Sequence, residues 1–493
     1  MSHVFRSLVP VLVLLVSAPL ARADFLDGRA VHADGTPAPN VNLDLVDLAT
    51  GNPATLSGDL TDANGFFHVT APAGTFRLVF NPPQPPASTD LYTTIEPVTL
   101  SGTTNVGTVA LLPGVALSGR VVNASNVGVA GVNFDVVRIP GGENVRLLYD
   151  VTDALGNFSF AVPAALQELR LDPSSVVGAT LAPRTLELEP LASLALGDVA
   201  LAPGFVVTAI VRGPNGAAVA SCDAEAVRVP TEEHLFTPSD DTNATGLVDF
   251  VVPAGTYDFE FCPPTAARLA NGRVPNVTIS ANATLGVVTL QPGRLLSGTV
   301  VDAAQQPVLR ARLALRNDAT GAAVSICNDR TDAAGHYATV VPPGTFRVSM
   351  LPPDGQVLGT DVHFNVAVSA DRVLDGALPP AFPVVCAADG TTASACPCGN
   401  YGAPGHGCSN SQRTAGARLV ALGSTALDPA TGKDALVLAA DGLTSVATVS
   451  AIFLQSTALD PVGTTFGDGV LCLTGTLIRI GSKPAPIGIA RYP

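Results

Sequence analysis

The chain of 493 residues has no tryptophan, only six tyrosines and only two lysines, Lys433 and Lys483. Sugar-binding platforms rely on exposed Trp or Tyr, and Tyr92, Tyr149, Tyr257, Tyr337, Tyr401 and Tyr492 are few for that purpose. With no lysine between residues 24 and 380, a lysine–asparagine isopeptide cross-link has nothing to form from there. No basic cluster exists. The net charge of −15 becomes −17 once the two arginines of residues 1–23 are set aside, which argues against nucleic acid and anionic membrane as partners. None of the seven histidines begins an H-x-x-E or H-E-x-x-H, so a zinc peptidase lacks its ligands. G-x-S-x-G, P-loop and G-x-G-x-x-G patterns are also missing. No catalytic, cofactor-binding or metal-binding residue is assigned, and the chain reads as a non-enzyme.

Long apolar runs are lacking too. The longest, Leu8–Val16, follows Arg6 and precedes Ala21-Arg22-Ala23, which is the pattern of a secretory signal cut before Asp24. It is about half the roughly 20 residues a membrane span needs. Export to the cell surface or medium is therefore expected, with no transmembrane helix after cleavage.

What is abundant is Gly, Pro, Val, Leu and Ala with period-two alternation, the composition of an all-β protein. Thr61-Asp62-Ala63-Asn64-Gly65-Phe66-Phe67 returns at Thr152-Asp153, Thr242-Asn243 and Thr331-Asp332, and Gly65, Gly156, Gly246 and Gly335 are 91, 90 and 89 residues apart. That period suits a small domain. In each T-D-x-x-G the Asp or Asn side chain can cap the turn and the glycine supplies positive φ. One carboxylate per turn is too few for a calcium loop. The strand that follows places Phe67, Val69 and Ala71 inward, then Phe158, Phe160 and Val162, then Val248, Phe250 and Val252, then Tyr337, Thr339 and Val341, with His68, Ser159 and Asp249 outward. A Pro-Ala-Gly or Pro-Pro-Gly corner leads into a second alternating run, with Phe76, Leu78 and Phe80 recurring as Tyr257, Phe259 and Phe261 and as Phe346, Val348 and Met350. In the second copy Pro163–Glu168 replaces the glycine corner, so a longer turn is expected.

About seven short strands in ~90 residues is the pattern of an immunoglobulin-like sandwich. The elements G-x-V, P-x-x-x-V, T-D-x-x-G-x-[FY] and P-x-G-[TY]-[FY] resemble the carboxypeptidase regulatory-like domain, four times over. That resemblance implies transthyretin-like β-sandwiches that are not themselves catalytic, at residues 24–114, 115–204, 205–293 and 294–380. Closing Pro-Gly pairs run straight into the next opening strand, predicting a string of beads with short linkers, elongated, and cut by protease near residues 114, 204, 293 and 380.

Residues 381–493 differ. Their C-P-C-G-N, G-C-x-N-S and F-G-D-G-x-x-C elements resemble an uncharacterised Cys-rich C-terminal β module of secreted bacterial proteins, in which a further strand-rich stretch follows, so this module is expected to be incomplete.

The eight cysteines are read as follows. Cys222 and Cys262 fall in one copy and are natural partners, although strand parity puts Cys222 inward and Cys262 outward. Cys386, Cys396, Cys398 and Cys408 form an even set within 23 residues that can pair among themselves, Cys396 and Cys398 being too close to join each other. Cys327 and Cys472 are left as free thiols. Cys396, Cys398, His406 and Cys408 also match a structural zinc set, but export favours disulfides. The resulting expectation is a secreted or surface scaffold or adhesion protein meeting an extracellular protein or polysaccharide, with a carbohydrate- or ligand-binding module as the alternative.

Overall fold

The computed structural model describes residues 23–492 except 140, 177–179, 354–355, 357, 381–385, 392–393, 423–435, 445–449, 468 and 486–487. The secretory signal expected over residues 1–23 lies outside the described residues but for Ala23. The regular structure of the described chain is strand, apart from one 3₁₀ turn at Thr265–Ala267. It divides into two compact units, Met1–Gly114 and Val115–Pro493.

The first unit is a sandwich of two three-stranded sheets. In one, Ala23–Val31 lies between Phe66–Pro72, which it meets antiparallel, and Thr103–Ala110, which it meets parallel. In the other, Gly74–Asn81 lies between Asn42–Asp47 and Thr93–Leu100. Alternation explains why the sheets face each other. Phe67, Val69, Ala71, Phe76, Leu78 and Phe80 are buried between them with Leu26, Leu43 and Leu45, while His68 points to solvent.

The second unit repeats this plan three times. Val115–Val122, Gly204–Arg212 and Arg294–Asp302 are the opening strands, each flanked by an antiparallel strand and by the parallel closing segment of its own copy. A two-residue strand, Asn144–Val145, Glu233–His234 or Ala323–Val324, widens the opposing sheet to four. Phe158 and Phe160, Phe250 and Phe259, and Tyr337 and Phe346 sit in three separate cores. The inward residues anticipated from alternation are thus inside in every copy. In the second copy four residues separate Val162 from Gln167, against one between Pro72 and Gly74, so the turn is longer there, as expected.

The T-D-x-x-G segments act as turn caps. Asp62 Oδ1 accepts the N–H groups of Asn64 and Phe66 at 2.8 and 2.9 Å, and Asp153, Asn243 and Asp332 repeat the arrangement. Gly65 has φ +79°, and a Cβ there would lie 2.2 Å from Ala30 O, so only glycine fits. The threonine has a role that its position in the motif did not announce. Thr61, Thr152, Thr242 and Thr331 are buried, and each hydroxyl donates to a carbonyl 23 residues earlier and accepts an N–H 20 residues earlier, pinning the crossing segment to the turn.

Junctions inside the second unit are hydrogen-bonded. Gly204, the first residue of the opening strand Gly204–Arg212, donates to Thr180 O of the second copy, and Gly293, the last residue of the third copy, donates back to Arg268 O of that copy. The contacts also go beyond neighbours, which a simple string of beads does not provide. Arg413 of the terminal module forms an ion pair with Glu187 of the second copy, both side chains nearly buried. Leu351 and Ala314 of the fourth copy pack with Val420, Val437 and Ala439 of the module. The module itself has a sheet of Arg418–Leu422, Val437–Asp441 and Ala490–Tyr492, and a long hairpin of Ser450–Phe466 and Gly469–Pro484.

Candidate functional site: the seam between the third and fourth copies

The strand Asp223–Arg228 turns Ala224 and Ala226 into the core, and so turns Asp223 and Glu225 outward. Its antiparallel neighbour Gly255–Cys262 sets Cys262 opposite Asp223, Glu260 opposite Glu225 and Asp258 opposite Val227. Strand alternation thereby gathers carboxylates on the outer face of this sheet. The fourth copy closes against its end. Cys327 is disulfide-bonded to Cys262 across a sequence separation of 65. Ser325 Oγ donates to Glu260 Oε2 at 2.5 Å, Asn271 Nδ2 donates to Ser325 Oγ at 2.8 Å, and Arg268 pairs with Asp371 at 3.0 Å.

A cleft of about 300 Å³ opens beside the disulfide. It is lined by Ser221, Asp223 and Glu225, by Cys262 and the two prolines after it, and from the fourth copy by Cys327 and Asn328. Burial pushes the Asp223 carboxyl up to about 7, with Asp240, Glu225 and Asp241 adding repulsion. Burial likewise raises Asp240, against a hydrogen bond from Thr237. His234 is raised because its ring bonds Glu225 at 2.7 Å. At Asp258 burial works upward, but Arg273 and the Asn276 N–H together hold the carboxyl below its usual range. Asp223 and Glu225 are the two carboxylates lining the cleft; Asp223 keeps its proton through mildly acid pH and gives it up near neutrality, so the negative charge of the cleft grows as pH rises through about 7. Among the described residues no group of three or more His, Cys, Asp or Glu is placed to hold a metal ion.

The cysteine framework corrects four expectations. Cys222 does not pair with Cys262: it is buried on the core face, whereas Cys262 faces away from it, where only a second body can reach. Alternation along the strand outweighs membership of one copy. Cys327, expected free, is the partner that Cys262 meets. Cys472, also expected free, is bonded to Cys386, so the set of four does not close on itself. Only Cys396 and Cys408 of that set join, leaving Cys398 as an exposed thiol. The Cys396–Cys408 bond also takes two of the four candidate zinc ligands, and His406 turns its Nδ1 toward Pro404 O at 3.0 Å. The remaining thiol, Cys222, is no nucleophile, since burial pushes it up to about 12. Tyr257 and Tyr337 are buried, removing two of six tyrosines from any surface platform.

No family model matches the chain, and no curated protein matches it. Among solved structures it is similar to the Bacillus anthracis TIE protein at 12% identity, covering 69% of this chain and 66% of that one with a TM-score of 0.16. It is similar to BcpA, the major pilin subunit of Bacillus cereus, at 10% identity, covering 54% of this chain and 99% of that one with a TM-score of 0.14. For GBS52, the minor pilin of Streptococcus agalactiae, the values are 11%, 36%, 97% and 0.16. The chain spans just under two thirds of the first of these. Likenesses of this size assign no family; the chain is a tandem array of immunoglobulin-like β-sandwiches with a disulfide-bonded β module after it.

Proposed function

We propose that the chain is a secreted or cell-surface, non-enzymatic scaffold or adhesion protein. In this reading carboxypeptidase regulatory-like repeats occupy residues 24–114, 115–204, 205–293 and 294–380, a Cys-rich module occupies residues 381–493, and residues 1–23 direct export. The observation that carries it is the Cys262–Cys327 bond, which ties two successive copies to one another instead of stabilising either alone. Such bonds persist in oxidising compartments, and holding two sandwiches in fixed register is the task of a scaffold. No described helix is long and apolar enough to cross a membrane. The partner in this reading is an extracellular protein or polysaccharide surface.

The alternative is an extracellular carbohydrate- or ligand-binding module, and the cleft beside the bond is what supports it. Expression in a secreting host tests the main reading, with N-terminal sequencing of the exported product and parallel panels of immobilised glycans and extracellular proteins. Export with a start at Asp24 and binding to a macromolecular surface supports the scaffold reading. Retention inside the cell sinks it. Saturable binding of a small cation that Asp223→Asn and Glu225→Gln abolish, with no macromolecule bound, favours the alternative.

A further inference from the structure

The terminal hairpin is anchored at two places and bare between them, with Gly469–Leu471 beyond the outer anchor half-buried. At its base Phe453 is buried and stacks on Tyr492 with ring centroids 5.6 Å apart, beside Ala440, Ala485 and Ala490. Toward its tip the Cys386–Cys472 disulfide and the Ser394 N–H, which donates to Val462 O at 3.1 Å, hold it to the cysteine-rich loop. Between these anchors every residue from Thr474 to Arg479 is exposed, on both faces of the strand. Leu477 and Ile478 point to opposite faces and are 47% and 49% exposed; Leu459 on the paired strand is 57% exposed. Among the described residues the two strands pair only with each other, and a lone two-stranded ribbon is marginal in water.

The two outer edges differ in how they are protected. Ser450–Phe466 carries Asp460 and Pro461, the residue types that block edge-to-edge pairing. Gly469–Ile478 carries neither charge nor proline. Across residues 450–484 the charges balance, Asp460 and Asp468 against Arg479 and Lys483, in a chain whose total is −15. Here a like-charged copy can approach without repulsion.

We propose that the Gly469–Ile478 edge is a self-association surface, on which a second copy of this chain lays the same strand antiparallel about a two-fold axis. An axis anywhere between residues 474 and 476 sets Arg479 against residues 469–473, none of them basic, and leaves Lys483 at or past the end of the mate's strand. Leu477 then gains a cross-strand neighbour from its symmetry mate, and the two ribbons join as one four-stranded sheet.

Analytical ultracentrifugation of the full oxidised chain over a concentration series tests this. The wild type is expected to dimerise, and the double variant Leu477→Lys, Ile478→Lys to remain monomeric at concentrations where the wild type is a dimer. Both positions are exposed, and unchanged circular dichroism with unchanged disulfide pairing shows that the variant has folded. Leu155→Lys, at an exposed turn of the second copy, should dimerise like the wild type. Hydrogen exchange of the amides of residues 471–478 should slow as the dimer forms. A monomeric wild type, a double variant that still dimerises, loss of dimer in Leu155→Lys, or growth past two copies would each overturn the proposal.

Discussion

Cys262 and Cys327 stand 5.5 Å apart at Cα and belong to different copies, so the covalent bond is also a domain contact. In the chain-entropy picture, closing a loop of this length contributes about 4 kcal/mol. Cys327→Ser should lower the stability of the third and fourth copies by up to that amount, read as a lower denaturant midpoint, and leave the first copy unaffected. A midpoint unchanged by the substitution would mean that the bond does not form.

Thiol labelling separates the two free cysteines. Cys398 is exposed and Cys222 is buried with its proton held, so a maleimide should modify one thiol in the native protein and a second only after denaturation without reductant. Peptide mapping should place the first label on Cys398 and the second on Cys222. Native labelling of Cys222 would contradict its place in the core.

Phe250→Ala removes a side chain that packs against Phe259, with ring centroids 5.8 Å apart, and should cost about 3 to 5 kcal/mol in the third copy. Asp249, the next residue along, faces solvent. Asp249→Ala should therefore be nearly neutral in the same denaturation experiment, and equal effects would show the strand register to be wrong.

Asp223 sets a pH dependence. Its carboxyl titrates at about 7 in the folded protein against 3.8 for the free group, so between these values the folded state holds a proton that the unfolded state releases. Stability should fall as pH rises from about 4 to about 7. Asp240 and His234, both raised, act in the same direction, His234 facing Glu225, Glu260 and Arg312. Asp258, held low by Arg273, acts oppositely but at more acid pH. Denaturation midpoints at pH 5 and pH 8, values chosen to bracket this window, should differ more for the wild type than for Asp223→Asn.

Thr242→Val keeps the shape of the turn and deletes the hydroxyl shared by Val219 O and the Cys222 N–H. Each orphaned buried group costs about 1 to 3 kcal/mol. Thr242→Ser retains both bonds and should lose far less, so equal losses measured by chemical denaturation would remove the hydroxyl from the account.

The sandwich fold was legible because period-two alternation and a turn motif recur four times, which fixes both the inward set and the length of each copy. The buried threonine could have been found the same way, since it opens every T-D-x-x-G or T-N-x-x-G. Parity had also placed Cys262 on the outside, and giving it an inward partner set sequence proximity above that signal. Which group waits outside is a different matter. Cys327 beside Cys262, and Arg413 beside Glu187, are meetings of surfaces, and neither partner carries a local pattern that names the other. The acidic cleft is hidden for the same reason, being half a property of the third copy and half of how the fourth closes on it.

In every copy the opening strand lies parallel to the closing one. The chain therefore enters a sandwich at one pole and leaves from the other. Pulled by its two ends, such a copy must slide these strands lengthwise past each other, so the slanted, evenly spaced bonds of a parallel ladder take the tension together. An antiparallel pair pulled from one end would peel open one bond after another. The topology makes the first two sandwiches links built for shear, while the Cys262–Cys327 bond carries tension past the closing strand of the third copy and the opening strand of the fourth.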